Sequence, residues 1–374
     1  MPHRATLAPI PVSAGGRQLL SLVFKTGGIS QASLTRRLNL AQPTVARLLH
    51  GFVDAGLMTL EARTVDRPGN PSVTARINPD YASALGISTF NDAASIVLVD
   101  CAGRLLAKRQ APLCGSRVET VDMLLGLRDA LLAESGTDPR RVLGVGVGIS
   151  AFFTGEGSKM VAPPALEDWT LVELQPLLED AFDLPVIVEN DGAAGAIGES
   201  LFGVGRQLDS FAYLHLTNGF GGGIISDGRL FRGARGNAGE FGGVWTVGGM
   251  GYPSLDRLRM LVAEAGTPFP TVDAMVPALE RSTPGVEAWL EEAVPAFATL
   301  GAVLAYAIDP QAIVIGGRLP PAIADELVAR IMFPRAPNRH GLAPPAPSIL
   351  RSEIEDDAVA LGAAVMPIQR AFLV

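Results

Sequence analysis

The 374-residue sequence predicts an α/β fold, a small helical head followed by two mixed sheets with covering helices, and three observations predict it. Between residues 17 and 56 apolar side chains recur at helical spacing in three short runs punctuated by glycine and asparagine. Beyond Asn78-Pro79-Asp80, which breaks both helical and strand periodicity, short strands joined by tight turns lead into helices, and the pattern occurs twice. Charge changes sign at the same place. Residues 1–80 hold nine Lys/Arg against four Asp/Glu, a net +5, whereas the remaining 294 residues hold 21 against 34, a net −13. A basic head on an acidic body suits a domain that meets phosphate while the rest stays off it.

In order, residues 1–16 read as a loose leader rich in Pro and Gly. Leu19, Leu20, Val23 and Phe24 make the inner stripe of a first helix that Gly27-Gly28 stops. Ser30 is placed to cap a second helix carrying Leu34 and Leu38. Asn39-Leu40-Ala41 turns the chain, and Pro43 opens a third helix with Val45, Leu48, Leu49 and Phe52 inside and Gly56 past its end. Gln42, Thr44, Arg47 and His50 are left outside. This is the pattern of a helix-turn-helix, whose second helix presents its first residues to base edges in the major groove. Arg47 suits a guanine and Gln42 an adenine, while Arg36 and Arg37 suit phosphate. Thr59-Leu60-Glu61 and residues 73–77 flank a Pro/Gly turn, so a wing is expected with Arg67 at its tip. A protein–protein adaptor of the same shape is the competing reading. The head is expected to span 17–78.

In the body, 84–89, 94–100 and 105–111 read as three strands, followed by a helix near 120–134 and a buried strand at 142–149. A helix at 171–182 and a strand at 185–188 close the first half. The second opens with a helix at 192–201, a strand at 211–216 and a glycine-rich hairpin, and ends with a strand at 313–317 and a helix at 357–371. Two subdomains are expected, 79–190 plus the C-terminal helix, and 191–356.

The head, the Arg67-Pro68-Gly69 turn, Glu189-Asn190-Asp191, the 219–223 glycine run, Gly236-Asn237-Ala238-Gly239-Glu240, Ile315-Gly316-Gly317 and Leu361-Gly362-Ala363-Ala364 together resemble the ROK family of repressors and sugar kinases. The resemblance covers nearly the whole chain from Arg17, with the motifs in the family's order and spacing. It implies a winged helix-turn-helix followed by an actin-like ATPase (sugar kinase) fold of two α/β subdomains around a cleft. It also implies that Asn190 and Glu240 bond a sugar and that Asp191 is equivalent to the catalytic base. Helix capping is the alternative role for Asp191. Gly219, Gly221, Gly222 and Gly223 match the second phosphate loop, where missing side chains let backbone N–H groups approach an anion.

The chain departs from the kinase pattern elsewhere. Where family kinases carry an aspartate, two glycines and a threonine, this sequence reads Gly86-Ile87-Ser88-Thr89-Phe90-Asn91-Asp92. Ser88 replaces the magnesium-linked carboxylate and Phe90 fills phosphate space, which argues against ATP and magnesium. Gly243 stands at the family's zinc-binding histidine, and 248–254 contain no cysteine, so no structural zinc or other metal is expected. Asp256 is a candidate substitute for the glutamate that follows the family's cysteine cluster. Cys101 and Cys114 have no paired spacing and read as small buried apolar residues. His215, on a strand, reads as a satisfied core residue.

A mean hydropathy of +0.29 in glycine- and proline-broken runs gives no expected membrane span, and with two cysteines and no export signal a cytoplasmic protein is expected. The expected function is transcriptional regulation, most simply repression, through a palindromic double-stranded DNA operator read by a homodimer or homotetramer. The degenerate kinase body senses a sugar or sugar derivative. The alternative is an active ATP-dependent sugar kinase with a DNA-binding head.

Overall fold

The computed structural model describes residues 10–62, 73–89, 93–248, 253–334, 337–354 and 357–374. Helix α1 (Ala14–Thr26) begins before the expected Arg17, because the Ser13 side chain accepts from the Gly16 amide and caps it; Gly27 ends it in the left-handed conformation. The leader therefore contributes its last residues to α1. Strand β1 (Ile29–Ser30) leads to α2 (Gln31–Leu38), capped by Ser30 as expected, and α3 (Gln42–Asp54) follows with proline in its first turn. Strands β2 (Met58–Ala62) and β3 (Val73–Ile77) pair antiparallel with Met58 opposite Ile77. β1 pairs with the other edge of β3, which two residues without a period had not announced. Arg67 and the rest of the connecting turn lie outside the described residues.

The first lobe contains β4 (Ser83–Thr89), β5 (Ala93–Asp100), β6 (Leu105–Pro112), α4 (Arg117–Ser135), β7 (Val142–Ile149), β8 (Phe152–Phe153), β9 (Met160–Val161), α5 (Leu174–Phe182) and β10 (Val186–Asn190). Its main sheet runs β10-β7-β4-β5-β6, with β7 parallel to both β4 and β10 and the β4-β5-β6 run antiparallel. Every residue of β4, β5 and β7 is buried, which is why these strands read as continuous apolar runs. Phe90 and Asn91 lie outside the described residues.

The second lobe is built from α6 (Asp191–Phe202), β11 (Phe211–Leu216), β12 (Phe220–Ser226), β13 (Arg229–Leu230), α7 (Gly242–Gly248), α8 (Leu255–Glu264), α9 (Val272–Met275), α10 (Val286–Ile308), β14 (Ala312–Gly317), α11 (Pro321–Arg330) and β15 (Ser348–Arg351). Its sheet runs β13-β12-β11-β14-β15, and β15, paired parallel with β14, had not been expected. Helix α10 is long and apolar enough by composition to cross a membrane. Its buried stripe of Val286, Trp289, Leu290, Ala293, Phe297, Leu300 and Leu304 instead packs into the core beside the second sheet.

The chain then returns to the first lobe as α12 (Ala358–Phe372), which lies on β4, β7 and α6. This packing depends on small residues: a Cβ on Gly362 would lie 1.9 Å from the Ala194 carbonyl oxygen. The head docks on the same helix. Leu19, Leu20, Val23 and Phe24 share one apolar core with Val97, Val99, Met366 and Phe372. Arg17 Nη1 donates to the carbonyls of Gln369, Arg370 and Leu373 at 3.4, 3.3 and 2.9 Å, satisfying the open C-terminal end of α12. The expected boundary at Asn78-Pro79-Asp80 is thus a short 3-10 turn, Pro79–Tyr81, between two packed units.

Candidate effector site and nucleic-acid face

In the head, burial of Val45, Leu49 and Phe52 turns the other side of α3 outward. Gln42, Arg47 and His50 are exposed and Thr44 is half-buried, while Arg36 and Arg37 are exposed on α2. The nucleic-acid candidates within the described residues therefore stand on two adjacent helices, away from the contact with the body.

The sugar candidates converge in the body. Parallel strand β10 ends at Asn190, and α6 begins on the next residue, so Asn190 and Asp191 occupy a strand-to-helix junction facing the space between the lobes. Asn190 is the helix cap, its Oδ1 accepting from the Ala193 amide at 3.1 Å. Its Nδ2 donates to the Ala151 carbonyl at 2.9 Å and to Glu240 Oε1 at 3.0 Å. Asp191 sits in the first turn, where the helix dipole favours negative charge, and its Oδ1 accepts from the Gly192 amide at 2.8 Å. The capping reading therefore belongs to Asn190. Asp191 Oδ2 points instead towards His215 Nε2, 3.9 Å away.

Glu240 arrives from the second lobe on a loop that needs Gly239. This glycine has φ 107°, and a Cβ there would lie 2.5 Å from the Gly222 carbonyl oxygen. Glu240 keeps solvent contact, yet the surrounding walls crowd its carboxylate, and this desolvation together with the Asp191 charge raises its pKa to about 7. Three residues earlier in the same loop, Asn237 bonds across the lobes: its Oδ1 accepts from the Phe153 amide and its Nδ2 donates to the Phe153 carbonyl, both at 2.8 Å. Glu189 is almost fully buried, which pushes its pKa up against the opposing pull of Arg232, whose Nε donates to it at 2.9 Å. The Asn237 clasp was not recognised in the sequence, although it lies within the quoted Gly236–Glu240 motif.

Asn190, Asp191 and Glu240 line one cavity of about 290 Å³ with Ala151, Phe152, Thr217, Gly219, Gly221 and His215. Of the glycine run, only Gly219 and Gly221 face it. Gly222 and Gly223 lie inside β12, where added Cβ atoms would meet the Tyr213 carbonyl oxygen at 2.1 Å and the Ala196 Cβ at 2.7 Å, so packing alone accounts for them.

A second cavity, about 390 Å³, is lined by Lys108 and Gln110 of the first lobe and by Gly316, Gly317, Arg318 and Asp357 among others. Ser88 Oγ donates to Asp357 Oδ2 at 2.6 Å, so the serine that replaces the kinase carboxylate is tied to the residue that caps α12.

Three expectations need correction or refinement. His215 is buried, but it is not satisfied: neither ring nitrogen has a hydrogen-bond partner among the described residues, and burial, only partly countered by Asp191 and Asp357, lowers its pKa. Cys114 is exposed, unlike Cys101. Asp256 sits in the first turn of α8 and pairs with Arg259 at 2.9 Å, at neither of these cavities. As for zinc, Gly243 offers no side-chain donor, and among the described residues no three His, Cys, Asp or Glu side chains cluster as a metal site.

The two-lobed α/β body, with its Asn-Asp pair lining a cavity between the lobes, has the actin-like sugar-kinase fold. Residues 84–248 match the ROK family model. An uncharacterised protein of Sinorhizobium fredii is 32% identical over 372 residues, covering 96% of this chain and 92% of its own. The xylose repressor of Caldicellulosiruptor bescii is 29% identical over 226 residues, 60% of this chain and 56% of that protein. In structure, a ROK family transcriptional regulator homologous to the Escherichia coli MLC protein aligns over 96% of this chain and 95% of its own, with a TM-score of 0.65 at 22% identity. The chain belongs to the ROK family, among its transcriptional regulators.

Proposed function

We propose that this regulator is a repressor that reads a duplex operator through a winged helix-turn-helix at about 17–78 and senses a sugar in a kinase-like body from residue 79. The observation that carries the reading is the path of α6. It starts at Asn190 and Asp191 in the cavity and ends at Phe202, whose ring packs 6.0 Å from that of Phe24 on α1. Twelve residues of helix, about 18 Å, join ligand site to head. A sugar that binds one lobe arrangement better than another then changes DNA affinity by that difference.

In this reading Arg47 and Gln42 meet bases, Thr44, Arg36 and Arg37 hold the backbone, and Arg67 extends the contact from the wing. The operator is palindromic because the protein acts as a homodimer or homotetramer, in the cytoplasm where the DNA is. Asn190, Asp191 and Glu240 bind sugar hydroxyls. No nucleotide, magnesium or zinc takes part, a reading supported by the engagement of Ser88 with Asp357 and by the glycine at 243.

The xylose repressor similarity makes D-xylose the first probe, with D-glucose and N-acetyl-D-glucosamine beside it. Calorimetric titration of each, then mobility shifts on a duplex selected from a random library with and without the sugar that binds, tests the proposal; a DNA affinity indifferent to every sugar refutes it. Retention of Asp191 favours one rival, a working sugar kinase. ADP release with these sugars, abolished by Asp191→Asn, would establish that rival.

A further inference from the structure

Among the described residues, His215 is the one shared by the linings of the two cavities described above. It projects from β11, opposite Gly221 of β12 and Gly316 of β14, so neighbouring strands place no side chain beside it. Behind it the Tyr213 ring lies stacked, with centroids 5.8 Å apart and planes at 28°, and the Tyr213 hydroxyl accepts from the Gly317 amide at 3.2 Å. The ring is therefore held in place, only 4% exposed, with both nitrogens unpartnered among the described residues. A buried neutral imidazole always carries one N–H and one lone pair, and leaving both unused costs free energy that a bound partner recovers. The charged groups facing it are Asp191, Asp357 and Arg318.

The 3.9 Å between His215 Nε2 and Asp191 Oδ2 is too long for a hydrogen bond. It is the right span for one oxygen atom between them. A hydroxyl seated there makes two ordinary bonds of about 2.8 Å, donating to the carboxylate and accepting from the ring N–H. We propose that His215 is a ligand-binding residue that, together with Asp191, clasps one hydroxyl of the bound sugar. A sugar that presents this hydroxyl beside the group held by Asn190 and Glu240 is selected over its deoxy analogue, because the analogue leaves both partners buried and unpaired. This inference rests on the proposed sugar-sensing function and goes further by naming the residue and the hydroxyl contact that select the ligand.

The test uses the full chain, the sugar panel above and two readouts. The chain has four histidines, so ¹⁵N-detected imidazole spectra resolve His215 once it is assigned from its absence in His215→Asn or, if that variant fails to fold, by replacing His3, His50 and His340. The sugar that binds is expected to shift both His215 ring nitrogens, and His215→Asn or His215→Ala to bind it roughly threefold to tenfold more weakly. If a sugar binds with the His215 signals unmoved, or with unchanged affinity in the folded variants, this inference falls and the sugar-sensing function stands. If no sugar binds the wild-type protein, both fall together.

Discussion

Arg47 and the two arginines of α2 have the same charge and different consequences. Arg47 projects from the outward face of α3, and in the proposed operator complex it meets a guanine edge, so Arg47→Ala is expected to cost about 1–3 kcal/mol on the selected operator and much less on random duplex. Arg36→Ala is expected to weaken both duplexes equally and to lower the salt slope of binding by about one. Fluorescence anisotropy across a salt series separates the two.

Glu240 and His215 pull the pH dependence of stability in opposite directions. The Glu240 carboxyl ionises at about 7 in the folded protein and near 4.5 when unfolded, so its contribution is full below 4.5 and is lost as pH rises through about 7. His215 has a folded pKa below 6.5, so its contribution is present above 6.5 and is lost as pH falls. Denaturation midpoints of wild type and Glu240→Gln between about pH 5 and about pH 8 check this: the variant is expected to lose the decline on the alkaline side and keep the acid one.

At the level of elements, α12 decides how closely the first sheet and α6 approach each other. Its glycines and alanines read in sequence as a helix with a short apolar repeat, and the helix was legible for that reason. The cause of the smallness was not legible, because the clash it avoids is with the Ala194 carbonyl, 168 residues earlier in the chain. Gly362→Val is expected to destabilise the protein by more than about 2 kcal/mol in chemical denaturation, since neither backbone has room to yield. Strands β4, β5 and β7 were equally legible, because burial on both faces leaves an unbroken apolar run. Strands β1 and β15 were not, since two and four residues at a sheet edge carry no usable period.

Across the whole molecule, α6 and α12 both begin at the cleft and both end against the head. Asp357, bonded to Ser88, starts α12, and Arg17 closes its far end. Arg17→Ala is expected to leave sugar affinity unchanged in calorimetry while diminishing the effect of sugar on operator affinity in mobility shifts, because it removes the polar contacts between head and helix and touches neither binding face. An undiminished sugar response in that variant would place the coupling elsewhere, for example in the Phe24–Phe202 contact.

By itself the sequence determined the class of this protein. The helical spacing of the head, the change of charge near residue 80, the two strand-and-helix halves and the order of the Asn-Asp, Gly-Glu and Gly-Gly motifs are local patterns, and local patterns survive without coordinates. What only the tertiary structure decided depends on distance between remote residues: that Asn190 rather than Asp191 caps α6, that Ser88 is tied to Asp357, that Gly222 and Gly223 are small for packing, and that His215 faces a cavity unpartnered instead of resting in the core. Hydrogen bonding and burial act over a few ångströms in space with no regard to separation along the chain, so the state of a buried polar group is set by neighbours that no sequence window contains.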